Sequence, residues 1–265
     1  MQSRRVSLIK RLKEAYPDRS ERELFARVLR GDVLVDGEHV GKPGARVDGR
    51  AAVTMRQSPP YVSRGGEKLA LALDTWRIDC EGSVWLDAGS STGGFTDCLL
   101  SRGASLVYAV DVGTNQLDWR LRTDARVRVR EGTNIMHLRP GDLAPVPRSA
   151  TADLSFRSLR RAASHLLGLT GEGWGIFLVK PQFEWASPSP EFHGVVHERR
   201  TVLAIVGELV DGLASEGVCV EKGLVSPILG RKGNTELLFL LRSGDRRRGG
   251  LTRRGLEKLV LGSGS

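Results

Sequence analysis

The sequence predicts an α/β protein in which a mostly parallel sheet, covered by helices on both faces, follows a small α+β domain. After Tyr61, short apolar runs alternate with helical patterns, which is typical of successive βαβ units. Before Gln57, two amphipathic segments precede two strand-like runs around an Asp-Gly turn. The predicted division is a first domain over 1–57, a linker over 58–63, an α/β domain over 64–243 and a basic flexible tail over 244–265. The tail is expected to contain at most a short helix near Leu256 to Leu261.

The charge of the chain predicts a polyanionic partner. Its 40 Lys and Arg residues exceed its 31 Asp and Glu residues, which gives a formal net charge of +9. Cations that neutralise phosphates supply most of the non-specific affinity for nucleic acids. The alternative is a basic surface that only aids solubility.

The sequence disfavours a metal-binding protein, a secreted protein and a membrane-spanning protein. Cys80, Cys98 and Cys219 lie far apart and form no metal-ligand spacing with the five histidines, so we expect buried thiols in a reduced compartment and no metal. No apolar run has the length of a signal peptide core or of a membrane span. We therefore expect a cytoplasmic protein that does not insert into membranes.

The first domain begins with two predicted helices between Val6 and Arg30. Ser20 and Glu23 have the spacing of a capping box, which places the start of the second helix near Ser20. A hairpin follows around Asp36-Gly37. Residues 5–57 resemble the S4 RNA-binding fold, which implies that basic side chains there meet structured RNA. The expected RNA-binding residues are Arg4, Arg11, Arg19, Arg22 and Lys42, with Arg64 beyond them.

The second domain has predicted strands separated by helices, of which the clearest spans Arg199 to Glu216. The strand candidates are Val84 to Leu86, Leu106 to Val110, Val127 to Val129, Ile176 to Val179, Val218 to Val220 and Leu237 to Leu241. The fourth strand of the domain is predicted over 148–152, directly before Asp153, although it is less apolar than a buried strand is expected to be.

A glycine-rich turn after the first of these strands is the strongest local signal. Glycines let a ligand approach the backbone, and the helix that follows offers free N–H groups. The GxGxxG spacing of dinucleotide sites is absent, while Asp87 ends one strand and Asp111 ends the next. An acid at the second position commonly binds ribose hydroxyls, and Asp87 suits an ammonium or ordered water. The pattern favours S-adenosylmethionine over a turn with no ligand. The expected cofactor-binding residues are Asp87, Ala88, Gly89, Ser90, Ser91, Thr92, Gly93, Gly94, Phe95, Asp111, Val112, Asn134 and Asp153.

Six motifs, in order along the chain, resemble those of the TlyA family of ribosomal RNA methyltransferases. They are YVSRGGEKL at 61–69, LDAGSSTGGFTD at 86–97, VDVG at 110–113, DLSF at 153–156, LVKPQFE at 178–184, and SP with GNTE between 226 and 236. The resemblance implies an S-adenosylmethionine-dependent 2'-O-ribose methyltransferase with a Rossmann-like catalytic domain. Its substrate would be cytidine in 16S or 23S rRNA, or both, in ribosomal RNA or subunits, with no obligate protein partner.

The family shares a Lys-Asp-Lys-Glu tetrad with the FtsJ-type ribose methyltransferases. By motif position the tetrad falls on Lys68, Asp153, Lys180 and Glu236. A ribose 2'-hydroxyl is a weak nucleophile, so Lys180 would act either as a base or as a charged group that stabilises the alkoxide. Asp153 would hold that lysine, and Lys68 and Glu236 would position the ribose.

Two departures from the family pattern keep other functions open. The first is the weakly apolar fourth strand with Arg157 after it, where the family has an apolar residue, and the second is the loop from Trp185 to Glu198, which lacks a basic glycine-rich run. The altered fourth strand makes a non-catalytic RNA-binding protein on a methyltransferase scaffold one alternative. A haemolysin that acts indirectly is the other, as the family's older name suggests.

Overall fold

In the computed structural model the chain forms two compact units, Met1–Pro59 and Pro60–Ser265. The structure describes residues 5–29, 31–55, 60–155, 158–188, 192–244 and 250–262. Arg4, Arg157 and residues 58–59 of the predicted linker lie outside these ranges, as does the arginine run of the tail at 246–248.

The described residues of the first unit form two helices and five short strands around a small apolar core. Its elements are β1 (Arg5–Ser7), α1 (Leu8–Ala15), α2 (Glu21–Leu29), β2 (Val33–Val35), β3 (Glu38–His39), β4 (Arg46–Asp48) and β5 (Val53–Met55). The predicted cap is present, because the hydroxyl of Ser20 accepts a hydrogen bond from the Glu23 N–H at 3.2 Å. Leu8, Leu12, Leu24 and Val28 from the two helices are buried against the strands.

The predicted hairpin in this unit joins β2 and β3. Asp36 and Gly37 both have positive φ, 51° and 88°, which is the conformation of a type I′ turn. The Asp36 carboxylate also accepts a hydrogen bond from the Ala52 N–H at 2.8 Å. β2 pairs with both β3 and β5 in an antiparallel sheet.

The second unit is built on a seven-stranded sheet in the order β11-β12-β10-β9-β6-β7-β8. The strands are β6 (Val84–Ala88), β7 (Leu106–Val110), β8 (Val127–Arg130), β9 (Ser149–Ala152), β10 (Trp174–Val179), β11 (Val218–Val225) and β12 (Leu237–Ser243). Strands β8, β7, β6, β9 and β10 are parallel neighbours, and β12 runs antiparallel to both β10 and β11. The predicted α/β class and mostly parallel sheet are confirmed.

Helices cover both faces of this sheet. They are α3 (Arg64–Trp76), α4 (Gly94–Ser101), α5 (Trp119–Arg122), α6 (Ala163–Gly168), α7 (Pro181–Glu184), α8 (Arg199–Ser215) and α9 (Arg253–Leu261). Leu86 packs in the core cluster that contains residues of α6, α8 and α9, while Trp85 packs in the cluster that contains residues of α3 and α4. Successive strand residues point to opposite faces, so one strand serves both cores.

The weakly apolar segment before Asp153 is a central strand. All four residues of β9 are buried, between β6 and β10. Its Thr151 hydroxyl hydrogen-bonds within the sheet, to the Leu86 carbonyl at 3.4 Å or the Asp87 carboxylate at 3.2 Å. Small side chains, among them Thr151 with its hydrogen-bonded hydroxyl, therefore replace the large apolar residues that were expected.

Within the predicted flexible tail, residues 250–262 are folded, and the alternative of a short helix near Leu256 to Leu261 is present as α9. Thr252 caps α9 by accepting a hydrogen bond from the Gly255 N–H at 3.1 Å. Leu256 and Val260 are buried in the core cluster that contains α8. A leucine and a valine four residues apart form one apolar helix face, and burial of that face fixes the segment.

The three cysteines are free and buried, as predicted. Burial raises the pKa of the Cys80 thiol to about 11 and that of Cys98 to about 12, so these thiols stay protonated. Within the described ranges no His, Cys, Asp and Glu side chains group in a way that suits a metal ion. No described helix combines the length and apolarity that a membrane span requires.

Candidate functional site

The candidate site lies where four parallel strands end. Strands β6, β7, β9 and β10 lead directly into Gly89, Asp111, Asp153 and Lys180. Parallel strands present their carboxyl ends at one edge of the sheet, which is where open α/β folds place their sites. The main chain links two of these ends, because the Asp153 N–H donates to the Ala88 carbonyl at 3.0 Å.

The glycine-rich turn after β6 is tight and closely packed. Gly89 has φ of +80°, and a Cβ added there would lie 2.6 Å from the Asp153 carbonyl oxygen. Gly93 has φ of +96°, and a Cβ there would lie 2.2 Å from a methyl group of Leu121. Only glycine fits either position.

Asp111 fixes the far side of the turn. Its two carboxylate oxygens accept hydrogen bonds from the Ser91 N–H at 2.8 Å and from the Gly113 N–H at 2.7 Å. The next residue, Val112, is 70% exposed. Asp111 therefore joins the first and second βα turns and holds the exposed Val112 beside them.

Asp87 has a different place from the one expected. Its side chain is fully buried, and its carboxylate accepts a hydrogen bond from the Thr96 hydroxyl at 2.6 Å and lies 3.2 Å from the Thr151 hydroxyl. Burial raises its pKa to about 7. The structure thus makes Asp87 a brace between β6, β9 and α4, not an open acceptor for a ligand ammonium.

The turn has features that fit a small polar ligand such as S-adenosylmethionine. The Ser90 hydroxyl is buried, and no hydrogen-bond partner for it is found among the described residues. α4 begins at Gly94 with Gly93 as its N-cap and without a side-chain cap, so first-turn N–H groups are available. Phe95 is buried beneath the turn, and Ala88 is buried in the strand before it. Thr92 is exposed, whereas Asn134 caps the short helical turn Ile135–His137.

The first half of the tetrad is a close ion pair. Lys180 Nζ lies 2.5 Å from an Asp153 carboxylate oxygen, and the two side chains are 12% and 31% exposed. Nζ also donates to the Leu154 carbonyl and the Ser155 hydroxyl, each at 3.3 Å. Lys180 Nζ therefore combines one ion pair with two hydrogen bonds.

The second half is a buried ion pair between Lys68 on α3 and Glu236 just before β12. The two side chains are 9% and 4% exposed. Gly230 packs against the Glu236 carboxylate so closely that a Cβ there would lie 2.0 Å from one oxygen. A buried ion pair is favourable only when its geometry is fixed, and Gly230 leaves the space for it.

Sheet register brings the two halves together. Val179 of β10 pairs with Leu237 of β12 in an antiparallel ladder. In an antiparallel ladder, one step forward along β10 corresponds to one step backward along β12. Lys180, which follows Val179, is therefore opposite Glu236, which precedes Leu237, at the edge of the sheet. Residues that lie 168 positions apart in the sequence, Lys68 and Glu236, then complete the cluster.

The expected RNA-binding residues are divided between the two units. Arg19, Arg22 and Lys42 are exposed in the first unit, and Arg64 is exposed at the start of α3. Arg11 is partly buried, and its guanidinium donates to the Ala51 carbonyl at 3.0 Å. Arg11 therefore has a structural contact that the sequence did not indicate.

Sequence reasoning missed several residues that shape the site. Thr96 and Thr151 brace Asp87, Gly230 makes room for Glu236, and Glu184 binds the loop after β9. Thr96 lies within the motif at 86–97 and Glu184 within the motif at 178–184, so the motifs could have indicated both residues. Thr151 and Gly230 gave no such signal, because their roles depend on contacts across the sheet.

Comparison with known proteins decides the family. Residues 61–222 match the FtsJ-like methyltransferase family. Over 250 residues the chain is 39% identical to the 16S/23S rRNA (cytidine-2'-O)-methyltransferase TlyA of Mycobacterium tuberculosis, covering 91% of each protein. The chain belongs to the TlyA family of FtsJ-like methyltransferases.

Other members of the family have a different name. Hemolysin A of Brachyspira hyodysenteriae is 35% identical over 213 residues, which is 80% of this chain and 89% of that protein. The solved structure of a hemolysin candidate from Streptococcus thermophilus has 33% identity and a TM-score of 0.73, covering 98% of this chain and 96% of that one. The TlyA-family resemblance inferred from the motifs is confirmed.

Proposed function

We propose that this protein transfers a methyl group from S-adenosylmethionine to the 2'-hydroxyl of a cytidine in 16S or 23S rRNA, or in both. The observation that supports this most directly is the sheet register that sets Lys180 beside Glu236, with Asp153 and Lys68 each ion-paired to one of them. The substrate is inferred from the M. tuberculosis relative, whose name states rRNA cytidine methylation.

In this proposal the glycine-rich turn holds the cofactor. Ser90 and the N–H groups at the start of α4 bind its polar groups, and Asp111 lies where ribose hydroxyls are bound. Bound S-adenosylmethionine supplies an electrophilic methyl group. Asp87 contributes through the brace that it forms with Thr96 and Thr151.

Lys180 acts in its charged form. A lysine whose Nζ faces a carboxylate, a carbonyl and a hydroxyl is arranged as an ammonium, and an ammonium stabilises the negative charge that develops on the 2'-oxygen. The 2'-oxygen would form the new bond to the methyl carbon as the bond from that carbon to sulfur breaks and S-adenosylhomocysteine leaves, and the Asp153 carboxylate, beside Lys180, takes the hydroxyl proton. The buried ion pair of Lys68 and Glu236 keeps the part of the site next to Lys180 rigid.

The first unit captures RNA as an S4-like domain, and the enzyme works on ribosomal RNA in the cytoplasm. The non-catalytic alternative depended on the weakly apolar fourth strand. That strand is fully buried in register with its neighbours, so this observation no longer favours the alternative.

The test is methyl transfer to ribosomal subunits from cells that lack the modification. Purified protein and labelled S-adenosylmethionine should yield 2'-O-methylcytidine, located by mass spectrometry of the rRNA. Lys180→Ala should abolish transfer and leave RNA affinity intact. The matched control is Lys222→Ala, which changes an exposed lysine of β11 and should leave transfer unchanged.

Two results would contradict the proposal. One is the absence of product on both subunits and on naked rRNA despite measured cofactor binding. The other is a Lys180→Ala protein that folds and transfers methyl groups at the wild-type rate.

A further inference from the structure

Glu184 is a buried acid for which the proposed chemistry has no use. It ends the short helix α7, and it is 4% exposed. Its carboxylate accepts hydrogen bonds from the Ser158 hydroxyl at 2.5 Å and from the Leu159 N–H at 2.8 Å. Burial raises the pKa of this carboxyl, and the hydrogen bonds from the two donors oppose that rise. A buried carboxylate is costly, so these contacts point to a specific role.

The position of Glu184 relative to Lys180 defines that role. Lys180 is the N-cap of α7 and Glu184 is its last residue, so the two are four positions apart. Lys180 contacts Asp153, Leu154 and Ser155 at the start of the connection that follows β9. Glu184 contacts Ser158 and Leu159 at its other end.

Both ends of one connection are thus bound to a single helical turn. The start of the connection supplies every acceptor described above for Lys180 Nζ. Asp153 is also held by its N–H bond to Ala88, so if the far end moves, Leu154 and Ser155 change their distance from Nζ and Lys180 shifts relative to Asp153. A displacement of about 1 Å at a reacting group is enough to cost about 100-fold in rate.

We propose that Glu184 is a positioning residue that sets the geometry of Lys180 and Asp153 for methyl transfer. This inference rests on the proposed function of Lys180. Glu184 does not touch the reacting atoms, and it acts through the two hydrogen bonds that it accepts. Its two described hydrogen bonds lie outside the glycine-rich turn, so cofactor affinity should depend on Glu184 much less than the transfer rate does.

The chemistry of the contacts predicts which replacement restores activity. The amide oxygen of glutamine can accept a hydrogen bond from the Leu159 N–H. Its amide N–H can donate to the Ser158 hydroxyl, because a hydroxyl oxygen can accept as well as donate. Glu184→Gln should therefore keep both contacts without a charge. Alanine keeps neither contact and leaves the Leu159 N–H without its acceptor.

The experiment measures single-turnover methyl transfer by full-length protein at saturating S-adenosylmethionine and rRNA, together with the Kd of each. Glu184→Ala should slow transfer by about 100-fold, while both Kd values stay within about threefold of wild type. Glu184→Gln should recover most of the rate. Ser158→Ala removes one of the two Glu184 contacts, together with the bond that Ser158 accepts from the Arg160 N–H. It should slow transfer less than Glu184→Ala does, because Glu184 keeps its bond to Leu159.

The matched control is Glu172→Ala. Glu172 accepts hydrogen bonds from the Trp174 indole and from Arg148 at the opposite end of β10, so its loss perturbs the same strand away from the site. This variant should transfer methyl groups at nearly the wild-type rate. Equal slowing in Glu172→Ala and Glu184→Ala would make the effect one of general stability and would overturn the inference.

Failure of this inference and failure of the proposed function give different results. If Lys180→Ala is inactive while folded Glu184→Ala and Ser158→Ala both transfer at the wild-type rate, Glu184 has no positioning role and the proposed function stands. If Lys180→Ala is fully active, the proposed function itself is wrong. If Glu184→Ala weakens cofactor binding by as much as it slows transfer, the effect is not on the catalytic pair and the inference is also wrong.

Discussion

The buried pair of Lys68 and Glu236 allows folding and catalysis to be separated in one set of variants. The side chains are 9% and 4% exposed and belong to α3 and to the approach to β12. Lys68→Met removes the positive partner and leaves the Glu236 carboxylate buried without its counter-charge. Loss of one member of a buried pair costs about 3–5 kcal/mol in the free energy of unfolding.

That loss is large enough to measure in the second unit. For a domain of about 200 residues, 1 kcal/mol corresponds to about 2–4 °C in Tm, so Lys68→Met should lower the Tm by about 6–20 °C. Glu236→Leu should lower it as well. The double variant Lys68→Met/Glu236→Leu removes both charges together, and such replacements are often neutral or stabilising by about 1–4 kcal/mol.

Activity should not follow stability in this series. The double variant should unfold near the wild-type temperature. It should still transfer methyl groups at least about 100-fold more slowly than wild type, because the charged side chains of Lys68 and Glu236 no longer hold the site beside Lys180 in place. The assays are thermal unfolding by calorimetry and single-turnover methyl transfer on rRNA. A stable double variant with wild-type transfer would refute the catalytic part of the reasoning. A double variant less stable than either single variant would refute the account of the ion pair.

Three further predictions concern the turn, its brace and the C-terminal helix. Gly89→Ala should abolish cofactor binding, measured by calorimetric titration. Gly82→Ala is the control: Gly82 has the same left-handed backbone but no atom within 4 Å of an added Cβ, so this variant should cost only about 1–2 kcal/mol of stability. Equal effects of the two variants on cofactor binding would show that the contact with Asp153 does not matter. Because burial raises the folded pKa of Asp87 to about 7, the folded state binds the extra proton, and stability should fall as pH rises from about 4 to about 7, by up to about 1.4 kcal/mol per pH unit. Denaturant unfolding should show this slope relative to Asp87→Asn, and an identical pH profile in the two proteins would contradict it. Leu256→Ala should cost about 2–5 kcal/mol, and Leu261→Ala, at a 41% exposed position of the same helix, much less; a negligible effect of Leu256→Ala would mean that α9 does not stabilise the fold.

The sequence alone determined the features that depend on local pattern. Alternating apolar runs predicted the strands of the α/β unit, Ser20 and Glu23 predicted the start of α2, and Asp36-Gly37 predicted the hairpin turn. Motif order indicated the family. These signals are readable because periodicity, capping and turn chemistry involve residues within a few positions of one another.

The tertiary structure decided the features that depend on contacts between distant segments. Periodicity underestimated β9, since burial of small residues leaves no apolar run, and it missed the docking of α9, since two buried residues in a basic segment give a weak pattern. The position of Asp87 at the end of a strand predicted an acceptor for a ligand ammonium or ordered water, but Thr96 and Thr151 enclose its carboxylate.

The site itself shows the same division. The sequence supplied the four residue types of the tetrad through motif resemblance, but it could not show that Lys68 meets Glu236 or that Glu184 restrains the connection beside Lys180. Those contacts depend on the register between β10 and β12 and on the path of the chain after β9. Register is set by packing over the whole sheet, and no local segment contains that information.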